Sequence, residues 1–374
     1  MRPYTAADTL RIAKRYNNPK RSYLLVNPLQ AKHIPVSPTA ALEMMSALGG
    51  QVAARYPEAR LVIGFAETAT AVGAAVAAQL GEDCVYLHTT REPLDGDWIL
   101  FQEEHSHAVE HQLSAEHLEE WIDRSPAVVF VDDEFSTGRT LINRVRQLRA
   151  RYPRLAERQL AAASLLSRVS PENLRQLAEA GIACECLVRL EEQDYEGMVS
   201  SISVEEAQPP APGPLPEIRT LRTAAPLPDP RRGVTMGAYR ACCGAAADEL
   251  LSALREELPR QGSLLVLGTE ECMYPALAVG AAAERMGLAA RVRCHAATRS
   301  PIGVCRDPGY PIRNGVRLPS FYGGDRKTYL YDLEACDAAL IVTDAPKAAD
   351  SAALPQLAAA LGRMGCRRVF LCGI

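Results

Sequence analysis

Apolar positions along this chain gather into short runs separated by helical patterns. Tyr23-Leu24-Leu25-Val26, Leu61-Val62-Ile63-Gly64, Val85-Tyr86-Leu87-His88, Val128-Val129-Phe130-Val131 and Leu160 to Leu166 show little polar alternation. Runs of that kind predict strands buried on both faces of a parallel sheet. Ile182 to Leu190 is read as a further strand. Pro38 to Arg55, Ala71 to Gln79, Leu141 to Tyr152 and Pro171 to Ala180 read as helices, and strand-helix alternation with short connections predicts a doubly wound α/β domain. The polar residues 1–22 predict a helix closed by an Asn17-Asn18-Pro19 turn. The prolines of 207–230 (QPPAPGPLPEIRT, then APLPDP) predict an extended spacer outside any sheet. Beyond it the strand and helix pattern returns at Leu264 to Gly268, Pro275 to Met286, Ala338 to Asp344 and Val369 to Leu371. Two tandem parallel-sheet domains follow, 1–206 and 231–374, joined by 207–230.

One stretch concentrates the chemistry. Ala127 to Thr140 reads AVVFVDDEFSTGRT: a buried run, adjacent carboxylates at its end, then Thr-Gly-x-Thr opening a helix. If the strand continues through Asp132 and Asp133, the two acids point to opposite faces and can hold vicinal hydroxyls. The loop after them offers hydroxyls, a glycine and the positive end of a helix, the elements of a phosphate cradle. A second strand-loop-helix, Leu61 to Gln79, suits another anionic group at Glu67, Thr68, Ala69 and Thr70.

VVFVDDEFSTGRT resembles the phosphoribosyl pyrophosphate motif of type I phosphoribosyltransferases. The resemblance implies that Asp132 and Asp133 bind the ribose hydroxyls, stabilise charge at the sugar and sit near Mg²⁺. Glu134, Phe135, Ser136, Thr137, Gly138, Arg139 and Thr140 would hold the 5-phosphate end of the donor, and Glu67 to Thr70 with Arg91 would face its pyrophosphate. Enzymes for 6-oxopurines usually have an Asp directly before the Thr-Gly; Ser136 stands here, which disfavours hypoxanthine and guanine.

The most polar unit of the chain runs from Thr89 to Trp121. The same resemblance implies a lid over the donor, with Glu103, Glu104, His105 and His107 as candidates for acceptor binding or proton transfer. Two other readings stay open: a solvated loop, or a metal site made by His105 and His107 with His111. Arg144, Arg146, Arg149 and Arg151, on the helix after the central motif, read as a solvated face. Lys32-His33 between prolines reads by itself as a solvated loop.

The second half answers the first: Ala-Val-Gly-Ala-Ala recurs at Ala71 to Ala75 and Ala278 to Ala282, and Ala297-Thr298-Arg299-Ser300-Pro301 matches Thr89-Thr90-Arg91-Glu92-Pro93. Thr343 stands for Asp132 and Ala348-Ala349 for Thr137-Gly138, so the second phosphoribosyltransferase-like fold is expected to be degenerate and without a donor site. Thr298-Arg299-Ser300-Pro301 is similar to the signature of the TRSP domain, which follows a phosphoribosyltransferase domain in a family from tellurite-resistance-associated gene clusters of bacteria. Lys32-His33-Ile34-Pro35, Glu103 to His107 and Arg326 with Thr328 resemble further motifs of that family. The resemblance implies a biosynthetic enzyme making a nucleoside-like product, with Lys32, His33, Thr298, Arg299, Ser300, Tyr322 and Arg326 as acceptor-binding candidates.

Composition narrows the setting. A net charge of −4 over 374 residues gives no basic footprint for nucleic acid. No apolar run is long enough to span a bilayer, and the N-terminus has no apolar signal core, so a cytoplasmic location is expected. The eleven cysteines include no CxxC pair and predict buried thiols. The expected activity is Mg²⁺-dependent transfer of ribose 5-phosphate from phosphoribosyl pyrophosphate to a nitrogenous acceptor. A non-catalytic donor sensor, and a hydrolase or reverse-direction enzyme acting on a nucleotide, are the alternatives; a homo-oligomer is left open.

Overall fold

A computed structural model describes residues 3–18, 21–102, 109–258 and 260–374. Glu103, Glu104, His105 and His107 lie outside these residues. Compactness divides the chain into two discontinuous units, the first built mainly from Glu43–Glu192 with Pro228–Cys242, the second from Ala7–Leu42, Gln193–Leu227 and Cys243–Ile374. The units therefore interleave along the sequence, and the spatial division differs from boundaries drawn at the proline-rich stretch.

The first unit has a sheet of β1 (Ala59–Gly64), β2 (Val85–His88), β3 (Ala127–Phe135), β4 (Gln159–Ser167) and β5 (Ile182–Arg189). These five pair in parallel in the order β2-β1-β3-β4-β5, with Val234–Thr235 antiparallel on the outer edge of β2. Val128, Val129, Phe130 and Val131 are fully buried, as their unbroken apolar run requires. Helix α1 (Thr70–Leu80) is almost entirely buried. Its alanines and Gly73 allow close approach to the sheet: a Cβ on Gly73 would sit 2.8 Å from the Tyr86 ring. Helix α2 (Arg139–Arg151) follows β3 and packs Leu141, Val145 and Leu148 into the core. The sheet order reverses direction between β1 and β3, the switch point where ligands of open α/β sheets bind. Between β2 and β3 runs an antiparallel hairpin of Trp98–Gln102 and Val109–Ser114, anchored by buried Ile99, Phe101 and Leu113.

The second unit repeats this plan. Its sheet contains β6 (Glu217–Arg222), β7 (Ser263–Gly268), β8 (Arg291–Ala296), β9 (Ala338–Thr343) and β10 (Arg368–Gly373), all parallel, in the order β8-β7-β9-β10-β6. The first four strands thus have the same relative order in both units. Local hydrogen bonds correspond as well. Phe65 N–H donates to Val131 O and Thr269 N–H to Val342 O; Thr89 N–H donates to Gly64 O and Ala297 N–H to Gly268 O. Thr90 bridges Gln112 as Thr298 bridges Tyr329. The Glu92 and Ser300 amides each donate to the hydroxyl of the threonine two residues earlier.

The fifth strand differs, and it corrects the spacer expectation. Glu217–Arg222, inside 207–230, pairs along its whole length with β10. EIRTLR contains no proline; the prolines at 214, 216 and 226 only flank it, so its amides remain free to form a ladder. Gly362 makes room for this segment, since a Cβ there would lie 1.9 Å from the Pro214 carbonyl oxygen. The N-terminal segment also departs from expectation: a helix covers only Ala6–Thr9, and Arg11–Lys14 pairs with Tyr23–Val26.

Candidate active site

The strand β3 continues through Asp132 to Phe135, so its acids do lie on alternate faces at its carboxyl end. Both line a cavity of about 260 Å³ together with Phe65, Thr68, Ser136 and Thr137. Thr68, from the loop after β1, donates its hydroxyl to Asp133 Oδ1 at 2.8 Å, and the Asp133 amide donates to Asp132 Oδ1 at 2.9 Å. Burial, and then the neighbouring Asp133 charge, push the Asp132 carboxyl well above the usual carboxylate range; Arg144 acts in the opposite direction. Two adjacent carboxylates resist joint ionisation in a poorly solvated place.

The loop after β3 is an open amide cradle. Gly138 has φ +73° and caps α2, and a Cβ there would meet Leu177 Cδ1 at 2.8 Å. Among the described residues, the amides of Ser136, Thr137, Gly138 and Thr140 have no acceptor. With the helix N-terminus behind them they suit a phosphate group. Phe135 is buried in the core, whereas Arg139 is exposed. The Glu134 carboxylate is committed to Arg168 Nε at 3.0 Å.

In the loop after β1, Ala69 is buried and Thr70 is tied inward, its carbonyl accepting from Tyr86 OH at 2.5 Å and its hydroxyl donating to Glu67 O at 3.4 Å. Arg91 reaches His111 Nε2 with both Nε (3.3 Å) and Nη2 (3.1 Å). A guanidinium only donates, so Nε2 is the acceptor and the Nδ1–H points to Thr89 Oγ1 at 3.2 Å. That oxygen also accepts from the Ala66 amide at 2.9 Å. A neutral His111 therefore links the loop after β1 to Arg91. No group of three or more metal-ligating side chains occurs among the described residues.

Arg144 was expected on a solvated face and is instead buried, lining the cavity with its guanidinium 4.4 Å from the Phe65 ring centroid and 5.6 Å from that of Phe101. Spacing carried the signal: Arg144 lies three residues after Leu141 and four before Leu148, within the apolar stripe of α2.

The seven acceptor-binding candidates all belong to the second unit. Lys32 and His33 are buried, against the solvated-loop reading; Lys32 Nζ donates to Glu270 O at 3.0 Å and Ala297 O at 2.8 Å. Arg299 binds the Glu270 carboxylate through Nε (2.7 Å) and Nη2 (2.6 Å), and Ser320 Oγ donates to its other oxygen at 2.6 Å. Thr298 is buried, Ser300 and Arg326 are half-buried, and Tyr322 OH donates to Asp344. Here the loop after β9 is closed on itself. Ala345 N–H is bound by Thr343 Oγ1, and the amides of Ala348, Asp350 and Ser351 by carbonyls of the same loop. With four amides of this loop engaged, and with Glu270 in the position of Ala66, the loop after β9 differs from the open cradle after β3.

A parallel sheet of this order, with an acid pair leading into an amide cradle at its switch point, defines a phosphoribosyltransferase fold. Residues 9–192 match the phosphoribosyl transferase family, and residues 230–361 match the TRSP domain that lies C-terminal to it. Together the two matches give the order of a phosphoribosyl transferase region followed by a TRSP domain. No curated protein matches the sequence. Among solved structures, adenine phosphoribosyl transferase from Trypanosoma brucei is similar at 17% identity, covering 48% of this chain and 76% of that one, with a TM-score of 0.36. Orotate phosphoribosyltransferase from Aeropyrum pernix gives 17%, 53%, 95% and 0.33, and the Giardia lamblia adenine enzyme 17%, 50%, 97% and 0.36.

Proposed function

We propose that the first unit transfers ribose 5-phosphate from phosphoribosyl pyrophosphate to a nitrogenous acceptor. The observation that carries this reading is the acid pair Asp132-Asp133 placed directly before the open amides of Ser136 to Thr140. The amides hold the 5-phosphate, and the carboxylates hold the ribose hydroxyls and favour positive charge at C1. The C1–O bond breaks with its electron pair leaving on pyrophosphate, while the acceptor nitrogen supplies the pair for the new C1–N bond and loses a proton. Arg91, oriented by His111, faces the leaving pyrophosphate. Mg²⁺, which Asp132 and Asp133 would hold through the ligand or water, would supply charge neutralisation. The residues fit it: two carboxylates whose repulsion already disfavours joint ionisation are relieved by a divalent cation.

The test is pyrophosphate release from the donor across a panel of nitrogenous bases, alongside calorimetry of donor binding. Release that disappears in the Asp132→Asn/Asp133→Asn double variant supports transfer. Donor binding without release under every base would replace it with a sensor, and unchanged turnover in the double variant would remove the site.

A further inference from the structure

The second unit keeps the sheet order of the first, and a cavity lies at the carboxyl ends of β6, β9 and β10, against the loop after β9. We propose that this cavity binds a small zwitterion bearing a carboxylate and an ammonium group. It encloses about 240 Å³, less than the roughly 300–1,000 Å³ usual for drug-sized ligands. Arg222, the last residue of β6, lines it, and among the described residues its guanidinium has no hydrogen-bond or ion-pair partner. A planar fork of that kind matches a carboxylate in two parallel hydrogen bonds.

Asp344 lines the same cavity, its carboxylate oriented by the Tyr322 hydroxyl. Its charge disfavours a dianion such as phosphate and favours an ammonium group. Thr223, whose hydroxyl donates to Ala225 O at 2.9 Å, offers its oxygen as a further acceptor for N–H. Leu371, Ala345 and Pro346 give an apolar wall for a short carbon chain. The site arises because β6, formed by Glu217–Arg222 between the prolines, delivers Arg222 to the carboxyl edge beside β10, where Arg222 pairs in register with Gly373.

The experiment is calorimetry on the full chain with glycine, L-serine, L-glutamate and γ-aminobutyrate, and with acetate, methylammonium and inorganic phosphate as partial probes. Saturable heat is expected for at least one zwitterion, at least tenfold tighter than acetate or methylammonium. Arg222→Ala should abolish it and Asp344→Asn should weaken it at least tenfold. Circular dichroism checks that both variants fold, which the exposed edge position of Arg222 favours. The Asp132→Asn/Asp133→Asn variant should leave the heat unchanged, so the outcome is independent of the donor site. Absence of saturable binding across the panel, phosphate binding tighter than every zwitterion and lost in Arg222→Ala, or zwitterion binding that survives Arg222→Ala would each overturn the proposal.

Discussion

The Thr68 hydroxyl donates to the Asp133 carboxylate at 2.8 Å, tying the loop after β1 to the acid pair at the end of β3 across the switch point of the sheet. Charge-assisted hydrogen bonds of this kind contribute about 1.5–3 kcal/mol. Thr68→Val should therefore lower kcat/KM for the donor, by releasing the Asp133 carboxylate, and reduce stability by about 1.5–3 kcal/mol. Steady-state pyrophosphate release measures the first and urea titration the second.

Asp132 gives a pH signature. Its folded pKa is raised, so the folded state holds the proton more tightly than the unfolded chain does. That contribution to stability is fully present below the ordinary carboxylate range and is lost as pH rises through the raised value. Unliganded Asp132→Asn should be more stable than the parent chain at neutral pH, and the difference should shrink on acidification. Thermal unfolding over a pH series checks the sign; a variant less stable at neutral pH would contradict it.

His111 and Arg91 should act as one unit. His111→Phe removes the acceptor that orients the guanidinium, so Arg91→Ala in the His111→Phe background should cost less than in the parent, with a coupling of about 1 kcal/mol. A double-mutant cycle on the donor KM reads this coupling directly. Additive effects would mean that the contact does not orient Arg91.

Gly138 has φ +73° and Leu177 against the place a Cβ would take. Gly138→Ala should destabilise the chain by about 1–3 kcal/mol and weaken donor binding together with it. Chemical denaturation and donor calorimetry measure the two effects.

Lys32 separates a structural from a binding role. Its ammonium is fully buried and serves the carbonyls of Glu270 and Ala297. Lys32→Met strands both acceptors and should cost about 2–4 kcal/mol of stability. A fully stable Lys32→Met protein with impaired acceptor binding would instead favour the binding role.

Much of the fold was legible in the sequence because its strands are continuous apolar runs whose burial leaves one solution, a parallel sheet covered on both faces. The recurrence of Thr90 and Thr298 at matching strand ends carried the repeat, and their matching bridges and amide contacts follow from it. Composition misled where local sequence and its tertiary place diverge. Prolines around 207–230 indicated a spacer, yet the six proline-free residues Glu217–Arg222 complete a sheet. Arg144 was placed on a solvated face from its charge, though its position in the apolar stripe of α2 decides its burial against Phe65.

Sequence by itself determined the acid pair, the Thr-Gly-x-Thr turn after it and their replacement in the second half by Thr343 and Ala348-Ala349, because each depends on residue type at fixed local spacing. Only the tertiary structure decided which groups face them. His111 meets Arg91 across 20 residues, Lys32 meets Glu270 across 238, and Arg299 meets Glu270 across 29. Such pairings are chosen by strand order and loop path, which bring distant polar groups together where burial leaves each in need of a partner.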